Sequence, residues 1–256
     1  MNKKDIFITI LLFTIGALCY ILFEAVQVKV FADPLANKLF CGFMARIGLA
    51  ALFAWLICLS NGQSYFRINL RFIKTFAWSL PCFLVAFVNF PFSALITHSA
   101  SIDRGDLIGI YLLYTLSVSL LEEFVFRGII FMIIAGYFMR KKHGVILTTA
   151  INAAIFSLFH LTNLFLGVDF LSVLLQCAYT FLIGAMLTAC MLKIKSLWLC
   201  VIIHAIFDFG GLLIIHLGSG NPWDLTFWIL TIVIGLLCAG HIIYSLIKLE
   251  KDYVSR

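Results

Sequence analysis

Six side chains carry the chemistry of this sequence: Glu122, Glu123, Arg127, His160, His204 and Asp208. They lie on three apolar stretches, within Leu-Leu-Glu-Glu-Phe-Val-Phe-Arg-Gly-Ile-Ile (120–130), Phe-Ser-Leu-Phe-His (156–160) and His-Ala-Ile-Phe-Asp (204–208). A charged group at the centre of a membrane helix costs about 2.5 to 3.5 kcal/mol on an insertion scale, so these residues must hold helices together or do chemistry. Glu123 and Arg127 are four residues apart and share a helix face, so they can pair. Glu122 is turned about 100° away by the helical period and has no partner in its own helix. A carboxylate in that position suits a general base or acid. His204 and Asp208 have the same spacing of four. A carboxylate accepting from one imidazole nitrogen fixes the tautomer, whether the histidine binds metal, holds an oxyanion or moves protons. Phe156 shares a face with His160, and Asn163 lies three residues further on, where it can orient His160 or cap the helix.

These residues need a scaffold, and the composition names its class. Of 256 residues, 63% are hydrophobic and 12% charged, with a mean hydropathy of +1.11. Soluble domains carry about a quarter charged residues. The sequence predicts an all-α, polytopic membrane bundle whose first partner is the lipid bilayer. The net charge of +6 is spread over loops. No basic patch interleaved with aromatics points to nucleic acid. Most of the eight cysteines fall within apolar runs without a C-x-x-C pair, and read as small buried hydrophobes rather than disulfides or a zinc ribbon.

Eight apolar segments are expected: Ile6–Phe23, Leu39–Leu59, Phe72–Ile96, Leu107–Met139, Val145–Phe165, Phe170–Leu192, Leu197–Leu217 and Trp223–Ile247. The first resembles a signal peptide, but its length and the lack of a small-x-small site predict a retained span. Pro81 and Pro91 predict kinks in the third. The fourth would be roughly 50 Å long if straight, so it must tilt, protrude or break, with Gly128 the candidate weak point. Thirteen Lys and Arg fall in alternate loops and tails (Lys3, Lys4; Arg67, Arg71, Lys74; Arg140, Lys141, Lys142; Lys193, Lys195; Lys248, Lys251, Arg256). Only Lys29, Lys38 and Arg104 fall in the opposite ones, which predicts both termini cytoplasmic. No linker or repeat divides the chain, so residues 1–256 read as one domain. Along straight helices His204 sits toward the cytoplasmic end and His160 toward the outer end. Their meeting therefore requires tilt or irregular helix ends.

Over about 106–210 the chain resembles the CAAX prenyl endopeptidase and bacteriocin-processing membrane proteases, also called the Abi family. Its pattern is Glu-Glu-x-x-x-Arg, Phe-x-x-x-His and His-x-x-x-Asn or Asp, on successive membrane helices. Here these are Glu122–Arg127, Phe156–His160 and His204–Asp208, with Asp in place of the Asn of many relatives. The resemblance implies intramembrane hydrolysis of a peptide bond in a membrane-associated protein or peptide. Substrates of the family include prenylated CAAX tails and the precursors of bacteriocins or signalling peptides. The membrane would be the plasma membrane in a bacterium and the endoplasmic reticulum in a eukaryote. Amide hydrolysis needs an activated water, an oxyanion stabiliser and exclusion of bulk solvent. The assignment is Glu122 as general base, His160 as polariser of the water, and His204 with Asp208 as oxyanion stabiliser or acid. Glu123, Arg127, Phe156 and Asn163 support them. Glu122, His160 and His204 also make a plausible set for a divalent metal such as zinc, although the H-E-x-x-H helix of zinc proteases is absent. A metal-free, glutamate-activated water uses the same residues. The competing reading is a non-catalytic self-immunity or scaffold protein that keeps the polar pocket. A proton-coupled transporter is disfavoured by the lack of inverted halves with matching broken helices.

Overall fold

The computed structural model describes residues 28–67 and 72–254. The expected first segment, Ile6–Phe23, lies outside the described residues. The elements run in chain order α1 (Pro34–Leu59), α2 (Phe72–Val88), α3 (Phe92–Ile96), β1 (Ala100–Ile102), α4 (Ile108–Glu123), a π-helical stretch (Phe124–Ile130) and α5 (Phe131–Phe138). Then follow α6 (Gly144–Phe159), a 3-10 stretch (His160–Leu166), α7 (Phe170–Ile194), α8 (Leu197–Gly211), α9 (Leu213–Leu217), β2 (Gly218–Gly220) and α10 (Leu225–Val254). The fold is all-α apart from an antiparallel ribbon that pairs Ala100 with Gly220 and Ile102 with Gly218.

Among the described residues, four stretches are long and apolar enough to cross a membrane: Pro34–Leu59, Gly144–Leu166, Phe170–Ile194 and Leu225–Tyr253. Two shorter apolar helices, Phe76–Val88 and Leu197–Gly211, accompany them. Large apolar side chains cover the outside, among them Phe165, Leu171, Leu182, Leu236 and Leu237. The buried residues include Thr115, Ser117, Ser119, Glu123, Arg127, Thr148, Asn152 and Thr188. Apolar outside and polar inside is the arrangement of a bundle dissolved in lipid.

Three expected segments depart from a single α-helix, each for a local reason. Segment three contains two helices. Pro81 is inside α2, but Pro91 ends the run by serving as N-cap of α3. The break is held by Asn89, whose amide Nδ2 donates to the carbonyl of Phe207 on α8 (2.8 Å). Segment seven divides at Leu212 into α8 and α9, and the amide of Leu212 donates back to Asp208 O (3.0 Å). Segment four neither breaks nor runs as one α-helix. Between α4 and α5 it widens into the π stretch, where Phe124 to Ile129 are all buried. π turns insert a residue into the helical ladder and leave a carbonyl to be satisfied from outside. Asn152 of α6 supplies the donor, from Nδ2 to Phe126 O (2.9 Å). Thr188 of α7 in turn donates to Asn152 Oδ1 (2.9 Å), fixing the amide's orientation.

Two tethers close the bundle's ends. Asp33 caps α1 by accepting from the Ala36 amide (2.7 Å), and Arg104 bridges Asp33 and Asp106 at 2.9 Å to each. The Ala36 amide, then the Arg104 guanidinium, hold the Asp33 carboxyl below the usual carboxylate range. Glu250 of α10 accepts from the amides of Val145 (2.9 Å) and Ile146 (3.3 Å), filling the N-terminus of α6 with a carboxylate.

Gly128 brings the π stretch against α1. A Cβ at this position would run into Cδ1 of Ile57, which is fully buried. Overpacking of such a site costs about 1 to 3 kcal/mol. Gly128→Ala is therefore expected to lower the unfolding midpoint in detergent, and adding Ile57→Val, which removes the obstructing methyl, should restore much of the loss. A double variant no more stable than Gly128→Ala would show that the contact does not limit packing there.

Candidate active site

The site is built around the carboxylate of Glu123, the last residue of α4. Its Oε1 accepts from Arg127 Nη1 at 2.8 Å, the pair that the spacing of four predicts. The same oxygen lies 2.7 Å from Nδ1 of His204 on α8. Arg127, in the middle of the π stretch, also donates through Nη2 to the carbonyl of Gly184 on α7 (3.2 Å). Its guanidinium carbon lies 4.3 Å from the centre of the Phe156 ring. One cation thus ties three elements to a fourth, and delocalised guanidinium suits both the ion pair and the aromatic face. Both Glu123 and Arg127 side chains are wholly removed from solvent.

This arrangement changes the expected role of Asp208. The sequence pairs His204 with Asp208 as its orienting carboxylate, whereas in the structure Glu123 occupies Nδ1. Because a carboxylate accepts, Nδ1 carries the proton and Nε2 points the other way. Nε2 faces two carboxylates: Asp208 Oδ2 at 3.4 Å and Glu122 Oε2 at 3.7 Å. The helical offset of Glu122 from Glu123 is what puts the two glutamates on opposite sides of one imidazole.

His160 reaches the site through the end of α6. The helix tightens into 3-10 turns there, and His160 Nδ1 lies 3.0 Å from the carbonyl of Phe156. The Phe156 ring meets both imidazoles edge-on, at 5.1 Å to His160 and 5.9 Å to His204, centroid to centroid. The two histidines, expected at opposite helix ends, thus both neighbour one phenyl ring at the irregular end of α6. Asn163 neither orients His160 nor caps the helix through its side chain. Its Nδ2 donates to Oε1 of Gln176 on α7 (2.8 Å), while its carbonyl accepts from Val168 N (3.2 Å).

Several supporting residues escape a reading by motif. Asn152 and Thr188 hold the π carbonyl, and Gly184 supplies a carbonyl to Arg127. Tyr111 donates to the carbonyls of Phe209 (2.8 Å) and, at 3.3 Å, Asp208, fastening the end of α8 to α4. Gln176 anchors Asn163. Asn152 had a usable signal, since it lies four residues before Phe156 and so on the same face. Tyr111, Gln176 and Thr188 had none beyond being polar in apolar segments.

Among the described residues, no three His, Cys, Asp or Glu side chains converge in a way that would hold a metal ion. Nδ1 of each histidine is engaged, His160 beside a carbonyl and His204 on Glu123, which leaves Nε2 as the nitrogen a metal would use, and His204 Nε2 faces Glu122 and Asp208.

Residues 104–210 match the family described as Type II CAAX prenyl endopeptidase Rce1-like. Over that stretch the chain is similar to that family. The matched region begins at the Arg104 bridge and ends at the C-terminal end of α8, so it takes in all six titratable residues of the site. No curated protein and no solved structure matches the chain. The match and the apolar helices are what an integral membrane protein would show.

Breaking a buried pair by removing one partner costs about 3 to 5 kcal/mol, because the other charge is left behind. Arg127→Met is expected to destabilise the chain by that order in a detergent unfolding assay. Combining it with Glu123→Gln should recover part of the loss by removing the stranded charge. If the double variant is as unstable as the sum of the single ones, the pair is not coupled as described.

Proposed function

We propose that the chain is an intramembrane endopeptidase that hydrolyses a peptide bond of a membrane-associated protein or peptide, with Glu122 activating the water. The observation that carries this reading is the division of His204 between two carboxylates of different character. Nδ1 is locked on fully buried Glu123, while Nε2 faces Glu122 and Asp208, whose side chains retain 22% and 15% exposure. The first glutamate orients the ring. The second borders the space from which a water and a carbonyl can approach.

In the reaction, Glu122 takes a proton from water as the water oxygen bonds to the scissile carbonyl carbon. His160 assists. With Nδ1 donating to the Phe156 carbonyl, its Nε2 is the lone pair that accepts the second water hydrogen. The carbonyl oxygen becomes an oxyanion, and a protonated His204 Nε2 donates to it. Preorganised donors of this type are worth about 10²- to 10³-fold in kcat. The C–N bond then breaks as the leaving nitrogen takes up a proton from Glu122 or His204, and Asp208 balances the imidazolium. Removing either histidine would thus affect the transition state rather than peptide affinity.

The substrate class follows the family: a CAAX-type tail, or in a bacterial host the precursor of a bacteriocin or signalling peptide. The loop charges favour eight spans with both termini in the cytoplasm, the face on which a C-terminal tail would be presented.

Purified protein in lipid nanodiscs, offered internally quenched peptides with and without a farnesylated CAAX-type tail, provides the test. The wild type should cleave at least one, and Glu122→Gln should lose about 10²- to 10⁴-fold in kcat while staying folded. Undiminished cleavage by Glu122→Gln overturns the mechanism. A cellular phenotype unchanged in that variant would favour the scaffold reading instead.

A further inference from the structure

A second polar feature lies at the opposite end of α6 from His160. Between the turn after α5 and the end of α10 is a cavity of about 360 Å³, lined by Met139, Arg140, Lys141, Lys142, Glu250 and Tyr253. Sixteen residues of α6 separate it from the catalytic cluster, roughly 24 Å at the helical rise. It shares no side chain with that site.

Its charge is one-sided. Three successive cations face a single carboxylate, and Glu250 is already engaged by the amides of Val145 and Ile146. The cavity is therefore a place for an anion. Its surroundings are those of a bilayer interface. Lys141 Nζ lies 3.5 Å from the centre of the exposed Tyr137 ring, and Tyr253 forms another wall. Cations and tyrosines grouped at a helix end belong at headgroup depth. Along α10, leading away from Glu250, Ile243, Tyr244 and Ile247 are exposed, and this span is the least buried of the four candidates. An acyl chain could lie on that face while its phosphate sits among the cations.

We propose that this cavity binds the phosphodiester headgroup of an anionic phospholipid. The shared chemistry is that of a phosphate, and the apolar face of α10 favours the lipid over the free ion. Glu250 joins the cavity to α6, so a bound headgroup would rest against the helix that carries Asn152 and Phe156.

The test uses the full chain purified in a neutral detergent and titrated with short-chain phosphatidylglycerol, phosphatidylcholine or inorganic phosphate, reading the thermal unfolding midpoint. Phosphatidylglycerol should raise the midpoint saturably, with phosphatidylcholine and phosphate doing little at the same concentration. In Arg140→Gln/Lys142→Gln the lipid-free midpoint should be unchanged, because both side chains are exposed. The lipid response should then need roughly tenfold more phosphatidylglycerol. Should the double variant fail to fold, the two single variants and native mass spectrometry of bound phosphatidylglycerol give the same readout. Equal stabilisation by phosphatidylcholine, or an undiminished response in the variants, overturns the proposal. Phosphate matching phosphatidylglycerol overturns the assignment to lipid. Peptide cleavage plays no part in the readout, so the result stands apart from the protease reading.

Discussion

The structure depends on one oxygen atom, Oε1 of Glu123, which serves both Arg127 Nη1 and His204 Nδ1. In an apolar interior a lone carboxylate would cost several kcal/mol, so its partners are requirements rather than additions. Each partner brings an element with it. Arg127 carries the π stretch and reaches α7 through the Gly184 carbonyl, and His204 carries α8. The bundle has no hydrophobic driving force between its lipid-facing surfaces, so polar contacts and close packing must specify which helices meet. A single buried ion pair extended by an imidazole does this for three of them. Among the described residues, Glu123 Oε2 and Arg127 Nε have no hydrogen-bond partner.

The second constraint follows from the first. Glu123 ends α4 and Arg127 lies within the π stretch, so the pair spans the change of helix type. A π turn costs backbone satisfaction, and here the cost is met from other helices, through Asn152 on Phe126 and Thr188 on Asn152. Gly128 permits the widened turn to touch Ile57 of α1. The irregular backbone is thus enclosed by α1, α6 and α7, in keeping with the rule that non-helical geometry at membrane depth must be buried in protein.

Much of this could be read from the chain. The apolar runs mark the positions of the helices. The spacing of four in Glu123–Arg127 anticipates the ion pair, and Phe156–His160 and His204–Asp208 mark faces that do turn toward one centre. What escaped is what periodicity cannot encode. Pro91 was visible, but a proline does not say whether it kinks a helix or ends one. That is decided here by Asn89 capturing the Phe207 carbonyl 118 residues away. The π stretch has no signature in an apolar run, since its stabilising donor, Asn152, lies on another helix. The closer partner of His204 was hidden for a related reason, although Asp208 does lie 3.4 Å from its Nε2. Asp208 is close in sequence, but the imidazole's Nδ1 is claimed by a carboxylate 81 residues away whose own pairing with Arg127 holds it in place. Local spacing says which groups share a face, and only packing says which of them has its lone pair free.

That distinction is what separates the two adjacent glutamates in the proposed mechanism. Glu122 and Glu123 are chemically identical and one residue apart, yet Glu123 is sealed with a cation and an N–H on one oxygen, while Glu122 keeps contact with solvent and faces the other ring nitrogen at 3.7 Å. Glu123, held by Arg127 and His204, is closed to a water, whereas Glu122, at the rim of the pocket, keeps its access. The imidazole between them transmits the order of one side to the other: anchored at Nδ1, it presents Nε2 in a fixed direction to Glu122 and Asp208. The buried glutamate, rather than the proposed base, therefore sets the geometry of the pocket, and under that proposal a doubled carboxylate serves where a single one would have to be both clamp and base.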